Sequence, residues 1–354
     1  MSSSSVQLAS TSVSLTLNLF LCWLIMRKSP ESMGSYKHLM IYTSVFEIYY
    51  ALLDAAADVT VFSHGFAVVV FREFSSKSWV SRPISMILVI AYCVTFGMSM
   101  AMLASHFVYR YSVTDSKFNL RYLAGRKYIL LFLAPFFYAI WWTSALLFGY
   151  LPNEESDEYL KNRFLETYDL RIDQISYVSP KFYKYGTHGE LLFNVPAWVA
   201  VTNCLMMVTS SIFCALYLGT KCYLNITKQL TTVTGISKFS ANLQKQLFTA
   251  LVIQTIIPVV IMYLPILVFF LCPMINVNLG YSSKLISDMV AFYPVVDPLP
   301  NMFIIKSYRN AILDIFRCGN SSGKIYTSKC TKSTQDSNNI NMNSMTTVHQ
   351  PDRF

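Results

Sequence analysis

The chain has 354 residues, of which 54% are hydrophobic and 13% are charged, whereas a soluble domain carries about 25% charged residues. With a mean hydropathy of +0.41, this composition excludes a soluble globular protein. The formal net charge of +9 is spread over several loops and does not indicate a nucleic-acid partner. The sequence lacks a glycine-rich phosphate loop, a paired CxxC and an HExxH, so we predict neither an enzyme nor a cofactor or metal site.

Apolar residues fall in blocks of about 20 or more, separated by polar stretches, which is typical of membrane-spanning helices. We predict an all-α membrane protein, with a seven-transmembrane helix bundle in one domain, residues 1–318. The first block starts polar and resembles a signal peptide, but Arg27 and Lys28 follow its apolar run, so we interpret it as a span. The predicted spans are about 6–26, 39–62, 84–109, 128–151, 191–218, 247–271 and 285–305.

The distribution of basic residues predicts the orientation of the bundle. Segments 27–38, 110–127, 221–246 and 306–354 hold 19 of the 28 Lys and Arg residues. Because positive charge is retained on the cytoplasmic side, we expect these segments inside the cell. The N-terminus is then outside and the C-terminus cytoplasmic.

The second span carries three carboxylates, Glu47, Asp54 and Asp58, at offsets of 7 and 11 residues. On a helix they lie within about 40° of one another, on a face that should avoid lipid. We expect Glu47 and Asp54 to form a polar network with Ser99 and Asp297, and Asp58, near the outer end, to contact a ligand. The alternative is an ion- or proton-coupled transporter that uses these acids, but we find no internal repeat to support it.

The segment 152–190 is the longest on the outer side. Ser156 is a candidate N-cap for a helix that runs to about Tyr168, and the following "ISYVSPKFYKYG" favours strands. Two interpretations remain open. The segment roofs a pocket, or it only covers the bundle.

Four stretches together carry a resemblance that span number alone does not. They are "GSYKHLMIYTSVFEIYYALLD", "LASHFVYRYS", "NLQKQLFTALVIQTIIPVVIMYLP" and "FYPVVDPLPNMFIIKSYRNAI". With these four stretches in this order, the chain resembles the nematode serpentine chemoreceptors of the Str superfamily, the group that contains the diacetyl odorant receptor. The resemblance implies an olfactory G-protein-coupled receptor in the ciliary plasma membrane of chemosensory neurons. Its implied partners are a small-molecule odorant, a heterotrimeric G protein and membrane lipid.

The end of the third span carries "HFVYRY", in which His106 and Arg110 share a helix face. This position resembles that of the Asp-Arg-Tyr motif of rhodopsin-like receptors, where the arginine switches between internal partners and the G protein. His106 and Tyr109 stand where an acidic neighbour would be expected, so an adjacent Asp–Arg lock is absent. The alternative is an interfacial arginine that snorkels to lipid phosphates.

The seventh span carries three prolines in "YPVVDPLP", so we expect a kink or an unwound turn. Asp297 and Pro298 resemble the Asn/Asp-Pro hinge of many receptors. We assign Tyr308 and Arg309, which follow the break, to the same switch, with an interfacial anchor as the alternative for Tyr308.

A short amphipathic helix is predicted after the seventh span, on the inner membrane surface. Cys318 ends it and is a candidate for lipidation, or is a free cytosolic thiol. The tail 319–354 is rich in Ser, Thr, Asn and Lys and is predicted to be disordered.

We place the ligand pocket in the outer half of the bundle. The aromatic residues there favour a small, volatile or weakly polar ligand. Each is also compatible with a simple core role in a packed bundle. Together with Asp58, the candidate ligand contacts are Tyr92, Phe96, Tyr263, Phe270, Asp288 and Tyr293.

Overall fold

The computed structural model describes residues 3–74, 80–232, 236–277 and 282–319. The described residues up to Ala311 form one compact unit, and those from Ile312 belong to a second. The fold is mostly helical. Its helices are α1 (Ser3–Lys28), α2 (Tyr36–Ala57), α3 (Arg82–Thr114), α4 (Ser116–Tyr122), α5 (Leu130–Gly149), α6 (Glu154–Tyr168), α7 (Val195–Thr232), α8 (Ile236–Pro258), α9 (Leu264–Met274), α10 (Ser282–Val296), α11 (Leu299–Ile304) and α12 (Lys306–Gly319).

Six helical stretches of the described chain are long and apolar enough to cross a membrane. The sixth joins α8 to α9 through a π-helical turn, Val259–Tyr263, between Pro258 and Pro265. The predicted seventh span is also helical, but it is broken between α10 and α11 at Asp297 and Pro298. Neither piece alone is long enough to span the bilayer. The six spans are Gln7–Lys28, Tyr36–Ala57, Arg82–Thr114, Gly125–Gly149, Val195–Thr231 and Ser240–Met274.

The break in the seventh span is supported by the polar start of the first. Pro298 has no N–H to donate to the carbonyl oxygen of Pro294, one turn earlier. The Ser14 hydroxyl donates to that oxygen at 3.0 Å, and the Asn18 amide donates to it at 3.2 Å. Ser10 donates in the same way to the Ala291 carbonyl. The polar residues that made the first span resemble a signal peptide therefore hydrogen-bond a kinked neighbour.

The second span ends earlier than predicted, and the acidic face therefore contains two carboxylates where three were expected. α2 ends at Ala57, and Asp58 adopts a left-handed conformation with φ of 43°. The chain then enters a strand at Thr60. Asp58 is exposed, whereas Glu47 and Asp54 are buried. The shared face is therefore limited to Glu47 and Asp54, because a left-handed residue ends the helical periodicity.

A small sheet and one helix cover one end of the bundle. β1 (Thr60–His64) and β2 (Ala67–Glu73) form an antiparallel hairpin, and β2 also pairs with β3 (Ile175–Val178). A second hairpin joins β4 (Tyr183–Tyr185) to β5 (Leu191–Phe193). We call β1–β3 with α6 the cap. We call this end of the bundle the cap end, and the opposite end the Arg110 end.

The cap strands are buried on both faces, which explains their nearly continuous apolar sequence. On one face Val61, Val70 and Val178 join the core of the bundle. On the other, Phe62, Phe71 and Tyr177 pack with α6 around Leu160 and Phe164. The side chains alternate between these two layers along each strand. The sheet is therefore sandwiched between α6 and the bundle.

The predicted helix in the 152–190 segment is present as α6, but its cap differs. Asn153 is the N-cap residue and accepts from the backbone N–H of Ser156 at 2.8 Å. The Ser156 hydroxyl accepts in return from the Asn153 backbone N–H at 2.9 Å. Ser156 therefore completes a capping box as the third helical residue instead of occupying the cap position.

Candidate functional site

An apolar cavity of about 220 Å³ lies directly beneath the cap. It is larger than a cavity of about 150 Å³, which is enough for benzene. We call it the apolar cavity. Its lining residues include no Asp, Glu, Lys or Arg, so it suits an uncharged ligand. The walls come from α3 (Tyr92, Cys93, Phe96, Met100), α5 and the residue after it (Trp142, Leu146, Tyr150), α7 (Val201, Cys204, Leu205, Val208, Ile212), the π-helical turn (Val259, Tyr263), α9 (Leu264, Ile266, Leu267, Phe269, Phe270, Leu271, Met274) and the cap and adjoining chain (Val61, Val70, Val178, Pro180).

Four of the seven predicted ligand contacts line this cavity: Tyr92, Phe96, Tyr263 and Phe270. The ring of Phe96 lies 5.7 Å from that of Trp142 and 5.6 Å from that of Tyr263 between centroids, so the aromatic wall is continuous. The structure places the other three elsewhere. Asp58 is exposed beyond the end of α2, Tyr293 points to Glu47, and Asp288 is not among the lining residues.

A second, much smaller cavity lies beside the break in the seventh span, and we call it the polar cavity. Its volume is about 30 Å³, room for on the order of two waters. Tyr293 donates to Glu47 Oε1 at 2.6 Å, while Glu47 Oε2 is buried and has no hydrogen-bond partner among the described residues. Its lining residues are Thr43, Phe46, Glu47, Ser99, Met102, Leu103, His106, Leu251, Gln254, Pro258, Tyr263, Tyr293 and Asp297.

Hydrogen bonds at the polar cavity connect the sixth span to the seventh. Gln254 Nε2 donates to Asp297 Oδ2 at 2.5 Å, and Gln254 Oε1 accepts from the Asn301 amide at 3.1 Å. All three side chains are buried. Asp297 therefore lies at the helix break with a neutral partner from α8, which satisfies one of its oxygens.

The predicted intramembrane network is present in part. Glu47, Ser99 and Asp297 line the polar cavity together. Asp54 is also buried, with 4% of its surface exposed, but it is not among the lining residues. It lies two turns from Glu47, towards the cap end of α2. The inward orientation expected of Asp54 is observed, whereas its membership of the network is not.

Arg110 is buried rather than interfacial, with only 2% of its surface exposed, so the snorkelling interpretation is wrong. Its guanidinium carbon lies 3.4 Å from the centroid of the Tyr36 ring. Nη1 donates to Gln244 Oε1 of α8 at 2.8 Å. Nε and Nη2 are buried and have no hydrogen-bond partner among the described residues. The cation is therefore held by a ring and a neutral amide, and no described carboxylate forms an ion pair with it.

Two other predicted switch residues, His106 and Tyr308, are buried as well. His106 Nδ1 lies 3.1 Å from the Tyr36 hydroxyl, and Nε2 lies 2.6 Å from the Thr43 hydroxyl. Tyr308 is fully buried and its hydroxyl lies 2.6 Å from that of Ser29, so it is not an interfacial anchor.

Arg309 is exposed on α12. The Cys318 side chain and the tail from residue 320 lie outside the described part of the chain.

The cap is fastened to the bundle and to its own helix by polar contacts. The Tyr177 hydroxyl donates to Asp157 at 2.6 Å, and burial, reinforced by this bond, raises the pKa of Tyr177 above its ordinary value. Lys181 Nζ lies 2.8 Å from Glu155, in an ion pair whose lysine is buried. The backbone N–H of Ser179 donates to the Tyr150 carbonyl at 2.8 Å. Val178 and Pro180 of the 152–190 segment line the apolar cavity, so this segment roofs a cavity and does not only cover the bundle.

Several site residues were missed from the sequence. Trp142 and Cys204 line the apolar cavity, Gln254 bridges to Asp297, and Tyr36 and Gln244 hold Arg110. Gln254 has a usable signal, because a buried amide in an apolar span needs a partner. Trp142 and Cys204 carry none, because apolar residues in a span are ordinary.

Comparisons with known proteins agree with this architecture. Residues 3–313 match the family described as serpentine type 7TM GPCR chemoreceptor Str. The chain is 33% identical to the G-protein coupled receptor str-217 of Caenorhabditis elegans over 308 residues, which are 85% of this chain and 86% of that protein. It is 29% identical to serpentine receptor class r-10 of Caenorhabditis elegans, over 83% of this chain and 85% of the relative.

The fold is also similar to the crystal structure of squid rhodopsin. The TM-score is 0.54 with 10% identity, over 92% of this chain and 87% of the rhodopsin chain. At that identity the likeness concerns the fold alone. The family match covers α1 to α11, the start of α12, both cavities and Arg110. This multi-pass membrane protein therefore belongs to the Str family of serpentine seven-transmembrane chemoreceptors.

Proposed function

We propose that this chain detects a small, uncharged, weakly polar odorant in the apolar cavity and activates a heterotrimeric G protein at the Arg110 end. The observation that carries this proposal is the position of Tyr263, which belongs to the walls of both cavities. A ligand that shifts the Tyr263 ring shifts a residue of the polar cavity. The polar cavity in turn contacts the break in the seventh span through Asp297.

In this proposal the sixth span is the element that moves on activation. A π-helical turn is often found at functional sites, and here it lies between two prolines that weaken the helix ladder. α8 lies below this turn, and it carries Gln254 at the polar cavity and Gln244 at Arg110. Rotation of α8 about the turn would break the Arg110–Gln244 contact. The buried guanidinium would then offer its N–H groups to a partner that carries carbonyl or carboxylate oxygens.

The orientation follows from the basic residues. The segments 27–38, 110–127, 221–246 and 306–354 hold 19 of the 28 Lys and Arg residues of the sequence. Because 110–127 begins at Arg110, this bias supports a cytoplasmic location for the Arg110 end. The cap is then outside, and the family resemblance supports the ciliary membrane of a chemosensory neuron. An epitope inserted in the turn 186–189 should be stained on intact cells, while a C-terminal epitope should require permeabilisation. The opposite staining pattern would contradict the orientation.

The function can be tested by a calcium assay in heterologous cells that express a promiscuous G protein, against a panel of small volatile compounds. We expect at least one uncharged compound to evoke a response. Cys204→Phe, which fills the apolar cavity, should abolish that response and leave surface staining intact. Arg110→Ala should also reach the surface but fail to signal.

A matched control is Leu216→Phe, which adds the same ring to an exposed position of α7 outside the cavity. Wild-type responses in both Cys204→Phe and Arg110→Ala would contradict the proposal, because neither the cavity nor the arginine would then be needed.

A further inference from the structure

The cap closes the apolar cavity at the cap end of the bundle. Val61, Val70 and Val178 form part of its lining, and all three are buried. α6 covers the opposite face of the same strands. A molecule that arrives through the cap would have to separate two packed layers.

Separating α6 from the cap strands and from the chain that follows β3 would also break several polar contacts at once. These include the Lys181–Glu155 ion pair, whose lysine is buried, and the Tyr177–Asp157 hydrogen bond. The Tyr183 hydroxyl also donates to the Met274 carbonyl of α9 at 3.0 Å. Each buried partner left unpaired costs free energy, so the cap is an unfavourable route.

The side wall between α7 and α9 is different. Leu264, Leu267 and Leu271 line the apolar cavity, yet 54%, 38% and 44% of their surfaces are exposed. On α7, Val208 and Ile212 line the cavity and are partly exposed. Both helices belong to membrane-spanning stretches, so these exposed leucines face hydrocarbon. The apolar cavity therefore reaches the lipid-facing surface of the bundle.

The packing of the two helices agrees with an opening there. α7 packs against α8, the part of the sixth span that precedes the π-helical turn. No comparable packing joins α7 to α9 among the described residues. The sixth span thus contacts α7 near the Arg110 end and diverges from it near the cap.

We propose that the ligand reaches the apolar cavity sideways from the hydrocarbon core of the membrane, through the gap between α7 and α9. This inference rests on the proposed function. It identifies the ligand class as uncharged molecules that partition into the bilayer, because a charged group pays a large penalty in hydrocarbon. The concentration that the receptor senses is then the concentration dissolved in the membrane.

Time-resolved photolabelling of the full-length chain in nanodiscs tests this route. The probe is trifluoromethyl phenyl diazirine, a small uncharged molecule that partitions into lipid. A flash after each delay forms adducts, and mass spectrometry follows those on the peptides that contain Phe96 and Trp142. Leu267→Trp places a large ring in the gap and should slow adduct formation about tenfold. Ile212→Trp narrows the same gap from α7 and should act in the same direction.

Two controls separate the gap from the cap. Leu216→Trp adds the same ring to a lipid-exposed position of α7 that does not line the cavity, and it should label like wild type. Arg72→Cys with Ser176→Cys joins β2 to β3, because these residues are directly paired and such pairs lie about 5.5 Å apart between Cα atoms, within disulfide range. The oxidised and reduced forms of this variant should label at the same rate.

Rates are normalised to the final adduct yield, which corrects for any cavity volume that the new rings occupy. Labelling at the wild-type rate in both tryptophan variants would overturn the proposal. So would slowing by the oxidised cross-link that reduction reverses, or adducts from a carboxylate-bearing derivative of the probe. The measurement needs no agonist and no G protein. Its failure is therefore distinct from failure of the proposed signalling function.

Discussion

The hydroxyl of Tyr263 lies 3.0 Å from the hydroxyl of Ser99, and this contact joins the two cavities of the bundle. The Tyr263 ring forms a wall of the apolar cavity, and its polar end borders the polar cavity. Ser99 also donates to the Phe96 carbonyl at 2.7 Å, so it keeps a partner when Tyr263 moves. A shift of the ring therefore leaves Ser99 paired and breaks only the hydrogen bond that the Tyr263 hydroxyl donates, so the position of Tyr263 is coupled to the polar cavity through one contact.

Tyr263→Phe should separate ligand binding from activation. The substitution keeps the ring in the apolar cavity and removes the hydroxyl that contacts Ser99, a change of about 1 kcal/mol. We expect the ligand concentration for half-maximal response to change only slightly, whereas basal signalling and maximal response change clearly. The measurement is a full dose–response curve with basal activity.

Ser99→Ala removes the same contact from the other side and serves as the paired variant. It should reproduce the effect of Tyr263→Phe, and the double variant should add little. Independent and additive effects would show that the two hydroxyls do not act through each other.

Gln244→Glu should hold the receptor in its resting state. In the wild-type chain Arg110 Nη1 donates to the neutral side-chain amide of Gln244 at 2.8 Å. A carboxylate at that position would form a charge-assisted hydrogen bond with a buried cation, which is roughly twice as strong. If rotation of α8 must break this bond, the agonist concentration for half-maximal response should rise about tenfold, since 1.4 kcal/mol corresponds to that factor.

The control for charge alone is Lys245→Glu, at the exposed neighbouring position of α8. It should leave the agonist concentration nearly unchanged, because an exposed charge is screened. Equal shifts from both variants would mean that net charge at the Arg110 end, and not the contact with Arg110, sets the response.

The cap should loosen in acid through His64. This residue is half-buried in β1, beside the rings of Phe62 and Tyr159. Burial, followed by the positive charge of Arg163, lowers the pKa of His64 below its ordinary value, while Glu166 opposes the shift. The unfolded cap therefore binds more protons than the folded cap in the window below about 6.5. Cap stability is full above that window and falls as the pH falls through it.

Hydrogen exchange of the β1–β2 amides, corrected for its intrinsic pH dependence, measures this loosening. Exchange should accelerate on acidification in wild type and less so in His64→Gln. His188→Gln, in an exposed turn outside the three-stranded sheet, is the control. An unchanged acid response in His64→Gln would assign the effect to another group.

Hydrophobic blocks are sufficient to predict the spans and the helical class, because the bilayer imposes a length and a composition on each one. They cannot locate the end of α2 at Ala57. The composition of Thr60–Phe62 fits the end of an apolar helix as well as it fits a β-strand. Only the pairing of this segment with β2 decides between the two. The kink at Asp297 was predictable from proline chemistry. The partners that support it, Ser14 and Asn18, depend on the packing of α1 against α10.

The candidate site was likewise predictable from the sequence only in part. Tyr92, Phe96, Tyr263 and Phe270 were found because helical periodicity places aromatic residues on inward faces. The cap residues that close the cavity come from two separate loops, and no local pattern links Val70 to Val178. Arg110 was identified by its position in a motif, but its burial against Tyr36 requires the fold.

Asp54 faces the interior of the bundle, although the polar cavity does not include it. Only 4% of its surface is exposed, while Val45, Tyr49 and Leu52 of the same helix are 53%, 48% and 50% exposed. Those three residues mark the lipid face of α2, and Asp54 lies roughly opposite at about 100° per residue.

Asp54→Asn should therefore fold and reach the surface while activation changes, because the amide keeps the size and hydrogen bonding of the carboxyl group and removes only its charge. Asp54→Leu should lower surface yield, since polar neighbours left unpaired cost roughly 1–3 kcal/mol each. Leu52→Asn places the same amide on the lipid face and should also lower the yield, because it exposes a polar group to hydrocarbon. Surface staining and agonist potency measure all three. If Asp54→Leu is expressed better than wild type and signals as well, Asp54 faces lipid and its assignment to the interior is wrong.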